Sequence, residues 1–179
     1  MLFRPGRNCW QAAEADRVAF LVDGEDYFRA VAEACESAQR SILIIGWDLD
    51  SRIRLRRGET GDEETFGHFV DRLAQAKSQL HIYLLEWDFA MFYSLEREIW
   101  PLLSFDWKTH ERVHFALDDE HPVGASHHQK IVVVDDRLAF VGGFDLAICR
   151  WDTSDHAPSH PERVDNESRY GPFHDVQMM

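Results

Sequence analysis

The chain has 179 residues, 45% of them hydrophobic, enough for one domain whose single core buries about 70% of its unfolded surface. Against 32 Asp+Glu it sets only 19 Lys+Arg, and the formal charge of -13 disfavours a polyanionic partner such as nucleic acid. No apolar run approaches the ~20 residues of a membrane span, no secretory signal opens the chain, and Cys9, Cys35 and Cys149 are odd in number and unspaced for a metal site. These features predict a single cytoplasmic domain over 1–179 with free thiols, soluble or peripheral to a membrane.

Residues 17–22 predict the first strand, with Asp23 available as the N-cap of the helix that follows. Over 25–39, Phe28, Val31, Ala32, Cys35 and Ala38 recur at helical spacing. Four consecutive aliphatic residues, Ile42 to Ile45, mark 41–47 as a strand covered on both faces and set at the sheet's centre. Trp47 and Asp48 stand at its C-terminal end, where ligands bind open α/β sheets, and so line a cleft; plain packing of Trp47 is an equal alternative. Residues 52–56 alternate like a half-exposed strand, and Arg52, Arg54, Arg56 and Arg57 form a basic cluster. That cluster reads more simply as a solvated edge than as a phosphate site.

A second helix is predicted over 63–77 from Phe66, Phe69, Val70, Leu73 and Ala74, then a buried strand over 80–86. A helix over 89–100 should stop at Pro101, its Phe92, Tyr93 and Trp100 walling a lipid pocket or serving as plain cover. Strands follow at 113–117, 131–134 and 138–141, the last two joined by a tight turn at 135–137. Residues 152–172 are charged and poor in apolar side chains, which predicts a long surface excursion, a lid or disordered, before a final strand at 173–178. The alternation of strand and helix implies an α/β fold, a mixed and largely parallel sheet flanked by helices on both faces.

The chemistry is concentrated in Ser126-His127-His128-Gln129-Lys130-Ile131-Val132-Val133-Val134-Asp135, which spells His-x-Lys-x4-Asp. On a strand, His128 and Lys130 share a face and His127 takes the other, so the two histidines cannot share one metal ion. An imidazole beside a fixed cation suits attack on phosphorus, with the cation stabilising phosphate oxygens. Asp135 falls on the opposite face, which suits a supporting role. Gly142-Gly143 offers a turn without side chains where backbone could approach a phosphate.

This segment resembles the HxKxxxxD motif of the phospholipase D superfamily. The likeness runs on through Val141-Gly142-Gly143-Phe144-Asp145-Leu146-Ala147, Arg150-Trp151-Asp152 and Pro172-Phe173-His174-Asp175-Val176, and is similar to the first of the two motifs in eukaryotic-type and related bacterial members. It implies a phospholipase D-like α-β-α sandwich and a catalytic set of His128, Lys130, Asp135 and Asp175. His128 would be the nucleophile, Lys130 the clamp on the non-bridging oxygens, and Asp175 the carboxylate holding the histidine's other nitrogen. Gly142, Gly143, Asp145 and Trp47 would stand on the substrate side. Asp145 occupies the place of an Asn that binds phosphate in other members; a carboxylate there repels phosphate and is expected to pair with Lys130 or Arg150 instead. The resemblance implies no metal and no cofactor.

A leaving alkoxide needs an acid on the far side of the phosphorus, and one histidine cannot serve both faces in one step. The family uses two motifs, and this sequence has one. A second HxKxxxxD half is therefore expected, from a homodimer partner or from the C-terminal half of a longer two-motif protein of which this chain is the N-terminal half. The implied substrate is a phospholipid at a membrane surface. A nuclease using the same residues, and a half that binds phosphate without turnover, are the rival readings. A metal-binding protein comes last, because His121, His127, His128 and His174 show no ligand spacing.

Overall fold

The computed structural model describes residues 2–58, 64–87, 110–122, 125–165 and 167–179. Its elements are β1 (Phe20–Val22), α1 (Asp23–Ser37), β2 (Ser41–Gly46), α2 (Phe66–Ala76), β3 (His81–Trp87), β4 (Val113–Asp118), β5 (Ile131–Val134), β6 (Leu138–Gly142), β7 (Val164–Asp165), β8 (Ser168–Arg169) and β9 (Val176–Met178). Seven strands form one sheet in the order β1-β9-β6-β5-β2-β3-β4, and β7 with β8 make a separate small hairpin. The mixed α/β sheet expected from the sequence is present, with a different bias. Only β2–β3 and β3–β4 are parallel, whereas β2–β5, β5–β6, β6–β9 and β9–β1 are antiparallel. The reason is connectivity: β6 follows β5 through a tight turn, and the chain's last strand returns between β6 and β1.

Alternation along the strands decides where the core sits. Ile42 and Ile44 of β2, Ile82 and Leu84 of β3, Phe115 of β4, Val132 and Val134 of β5 and Phe140 of β6 point to one face. There they share a core with Phe28 and Val31 of α1 and Phe69 and Leu73 of α2. Beside β6, β9 and β1 the opposite face is apolar and open: Val141, Val176, Met178, Val22 and Phe20 are exposed. Those residues form one contiguous strip, since Phe20 and Val141 both pair with Met178, and Val22 pairs with Val176. Helices on both faces are thus not seen among the described residues, and the expected helix over 89–100, with Phe92, Tyr93 and Trp100, lies outside them.

The turn after β5 explains why Asp135 stands where it does. Asp135 and Asp136 adopt φ of 54° and 55°, a left-handed pair that Asp tolerates, within the three-residue turn between the paired Val134 and Leu138. The Asp135 carboxylate accepts the amides of Gln39, Arg40 and Ser41 at 2.8, 2.8 and 2.9 Å and so clamps the α1–β2 connection. Burial pushes this carboxyl up, but the three amides outweigh it and hold the group below the ordinary carboxylate range. The folded value is thus below the unfolded ~3.9, so the stabilisation is full above that value and is lost as pH falls through the folded one. Asp135→Asn is expected to cost about 1–3 kcal/mol in denaturant melts at pH 7, and the difference from the parent should vanish near pH 2. A cost that persists at low pH would mean the amides are not what the carboxylate stabilises.

Other expectations shift. Asp23 does not cap α1; the N-cap is Val22, without a side-chain bond, and Asp23 is the first helical residue. Residues 52–56 form no strand beyond the single bridge Arg54 to Thr65, and Ile53 and Leu55 are buried. The basic cluster there is neutralised within the fold: Arg52 pairs with Asp50, Arg54 with Glu162, Arg56 with Glu36, and the buried Arg57 with Asp165. The charged excursion over 152–172 is ordered in its described residues. Arg163, fully buried, meets both carboxylate oxygens of Asp152 at 3.2 Å, while Arg57 holds Asp165 at 2.5 Å and lies 5.2 Å over the Trp151 ring.

Candidate active site

Antiparallel pairing of β2 with β5 puts the C-terminal end of β2 beside the start of β5, since Ile45 pairs with Ile131. The parallel strands β3 and β4 end at the same edge, at Trp87 and Asp118. Gly143 to Asp145 follow β6 there, and His174 and Asp175 precede β9. Every predicted site residue except Asp135 therefore falls at one edge of the sheet. Asp135 lies at the other end of β5, where its bonds are architectural.

His128 is exposed, its ring 5.7 Å from the Trp47 ring and nearly edge-on to it. Trp47 stacks in turn on Trp87 at 5.6 Å, and its indole N–H donates to Ser126 Oγ at 3.0 Å. These two indoles pack together at this edge of the sheet, and nothing in a buried strand singles out Trp87 from the sequence. His127 points away from His128 and pairs with Asp118. Next to it His121 accepts the indole N–H of Trp87 at 2.9 Å.

Lys130 is 5% exposed, and its ammonium lies 3.0 Å from Asp145 Oδ2, itself 4% exposed. It also lies 5.9 Å from the Trp47 ring centre. The other carboxylate oxygen of Asp145 accepts the backbone amides of Trp47 and Asp48 at 2.8 and 3.3 Å. Of the two partners foreseen for Asp145 the structure selects Lys130. Asp145 thus fixes the lysine and the end of β2.

The paired glycines have a packing reason of their own. A Cβ on Gly143 would meet the Asp175 carboxylate oxygens at 2.1 and 2.4 Å, and one on Gly142 would meet Gln177 Oε1 at 2.1 Å. Their missing side chains make room for residues of the β9 segment. Asp175 Oδ1 accepts the Val176 amide at 2.7 Å, which leaves the carboxylate lying over Gly143. No hydrogen bond joins Asp175 to the His128 ring among the described residues.

No family model matches the chain. Phospholipase D C of Dictyostelium discoideum is 34% identical over 136 residues, 73% of this chain. The chain spans only 8% of that relative's length. Two solved structures share the fold. Nuc of Salmonella typhimurium, described as a phospholipase D family member, is 10% identical with a TM-score of 0.54 and covers 90% of this chain and 82% of its own. The phosphatidylserine synthase of Haemophilus influenzae is 15% identical with a TM-score of 0.58, covering 94% of this chain and 34% of its own. The chain belongs to the phospholipase D superfamily.

Proposed function

We propose that this chain is one HxKxxxxD half of a phospholipase D-type phosphodiesterase that hydrolyses phospholipids or transfers their phosphatidyl group. The observation that carries this reading is an exposed imidazole, His128, flanked by an indole and followed two residues on by a lysine whose ammonium a buried carboxylate fixes. His128 attacks phosphorus through a ring nitrogen; a P–N bond forms, the P–O bond to the headgroup breaks, and the leaving oxygen takes a proton from an acid on the opposing half. Water or a second alcohol then attacks the phosphohistidine, breaking the P–N bond and restoring the imidazole. Lys130 stabilises the charge that gathers on the non-bridging oxygens. Asp175, by turning toward His128, holds the nitrogen that does not attack, and Trp47 lines the substrate side. None of these steps calls on a metal or cofactor.

The opposing acid must come from a second half, either a further segment of the same polypeptide or another copy. The open apolar strip of Phe20, Val22, Val141, Val176 and Met178 supports a partner on the β1-β9-β6 side of the sheet. A phospholipid would be met at a membrane surface; no helix among the described residues is long and apolar enough to cross one. Nucleic acid is the second reading, disfavoured by the charge of -13 and by the internal pairing of Arg52, Arg54, Arg56 and Arg57. The chain joined to its second half should, after rapid quenching, yield an acid-labile phosphohistidine from phosphatidylcholine and none from single-stranded DNA. The reverse preference makes it a nuclease; binding of phospholipid with neither label nor turnover makes it a docking half.

A further inference from the structure

A group of side chains outside the motif gathers where the start of α1, the excursion after Trp151 and the segment before β9 meet. Asp23, His156 and His174 bring their ligating atoms within 4.8 Å of one another. From these three residues the structure assigns a second site to this chain, one that binds a divalent transition ion of the zinc class. It goes beyond the histidine chemistry proposed above and uses neither His128 nor Lys130.

The tautomer of His156 carries the first step. Its Nδ1 lies 3.0 Å from Asp152 Oδ2, and Asp152 is wholly buried, bound on both oxygens by Arg163, with further bonds from the amides of Thr153 and Phe173. A carboxylate held this firmly only accepts, so Nδ1 carries a proton, and in the neutral form of the ring Nε2 presents its lone pair. That lone pair faces Asp23 Oδ2 at 3.3 Å. Two acceptors then confront each other, and Asp23 Oδ2 is a buried oxygen with no hydrogen-bond partner, in a residue only 1% exposed. A cation between them resolves the conflict. Tetrahedral zinc with bonds of about 2.0–2.2 Å holds its ligand atoms about 3.3 Å apart, which is the spacing of His156 Nε2 and Asp23 Oδ2.

His174 supplies the third ligand. Its Nδ1 hydrogen-bonds the other Asp23 oxygen at 2.6 Å, through a proton that binding of the ion releases, and its ring stands perpendicular to that of His156, at 85° with centroids 5.2 Å apart. Its side chain is 62% exposed, so the fourth position faces solvent and can take water. Asp152 behind His156 repeats the carboxylate–histidine–metal arrangement that fixes a ligand's tautomer. With Asp23 and Asp152 each negative and Arg163 positive, the group keeps a net negative charge that a divalent ion offsets. The competing state is an imidazolium on His156, paired with both carboxylates and needing no ion. The ion would tie three segments together one residue from Asp175.

The purified chain, stripped with chelator and titrated with Zn²⁺ alone at pH 7.5, decides between them. We expect uptake of about one equivalent. His174→Gln, at an exposed position, should weaken binding by more than the ~10–100-fold that loss of an outer partner costs; Asp152→Asn should fall within that range. The stacked surface pair His81 and His114 is the obvious adventitious zinc trap, and the double change His81→Gln/His114→Gln should leave the affinity unchanged. On the unaltered chain, Co²⁺ should give the visible absorption of a low-symmetry nitrogen–oxygen site and shift the ring protons of His156 and His174. Absence of stoichiometric uptake, uptake abolished by the His81/His114 change, or uptake indifferent to His174→Gln would each overturn the assignment in favour of the imidazolium network.

Discussion

His128→Ala in the chain joined to its second half should lose turnover on phosphatidylcholine by roughly 10⁴–10⁶-fold, the loss typical of a covalent nucleophile, while melting within about 1 kcal/mol of the parent. The two halves of that expectation have different sources. The ring is exposed and its described packing is one edge-on contact with Trp47, so little burial is lost with it. Reactivity, in the proposed mechanism, rests on that ring, because the other histidine of the motif, His127, is tied to Asp118. His127→Ala therefore makes the paired control, expected to keep most of the rate. Rates would be read under steady-state conditions and stability by denaturant melts on the same preparations. Equal losses in the two variants would remove His128 from the role of nucleophile.

How much of this could be seen in the sequence depends on the range of the interaction involved. The β-branched run Ile131 to Val134 follows from residue type and a period of two within one strand, and the structure has it as β5. Periodicity tells which face a residue takes, but not which strand lies beside it. That is why the sheet's antiparallel bias was missed, and why Gly142 and Gly143 read as a phosphate turn. Their bulk is limited by Gln177 and Asp175, more than thirty residues on, which become neighbours only when β9 pairs with β6. The arginines after Asp50 likewise look like a basic patch until carboxylates from α1 and from the excursion arrive to pair them. The Asp23, His156 and His174 group is the extreme case: three segments contribute one ligand each, so no spacing rule could register it. The one signal was indirect, an Asp before a helix that then fails to cap it.

Asp145→Ala should cost about 3–5 kcal/mol, because it leaves the ammonium of Lys130 buried with its charge uncompensated and removes the acceptor of the Trp47 and Asp48 amides. Salt should do little to either chain, since a pair 5% and 4% exposed is scarcely screened. The more telling variant is Lys130→Met/Asp145→Leu, which replaces both charges with apolar groups of similar length. Burying such an ion pair gains little over burying well-packed apolar side chains, so the double variant should recover the share of the Asp145→Ala loss that comes from the uncompensated ammonium, while the share from the Trp47 and Asp48 amides remains. It should recover none of the activity, because no cation then meets the phosphate oxygens. Stability and rate thus part company: a pair kept only to hold the end of β2 in place would return function along with the fold. Denaturant melts of the three chains, beside their phosphohistidine yields in a single turnover, separate the outcomes, and a double variant that is both stable and active would show that Lys130 acts on the scaffold rather than on the substrate.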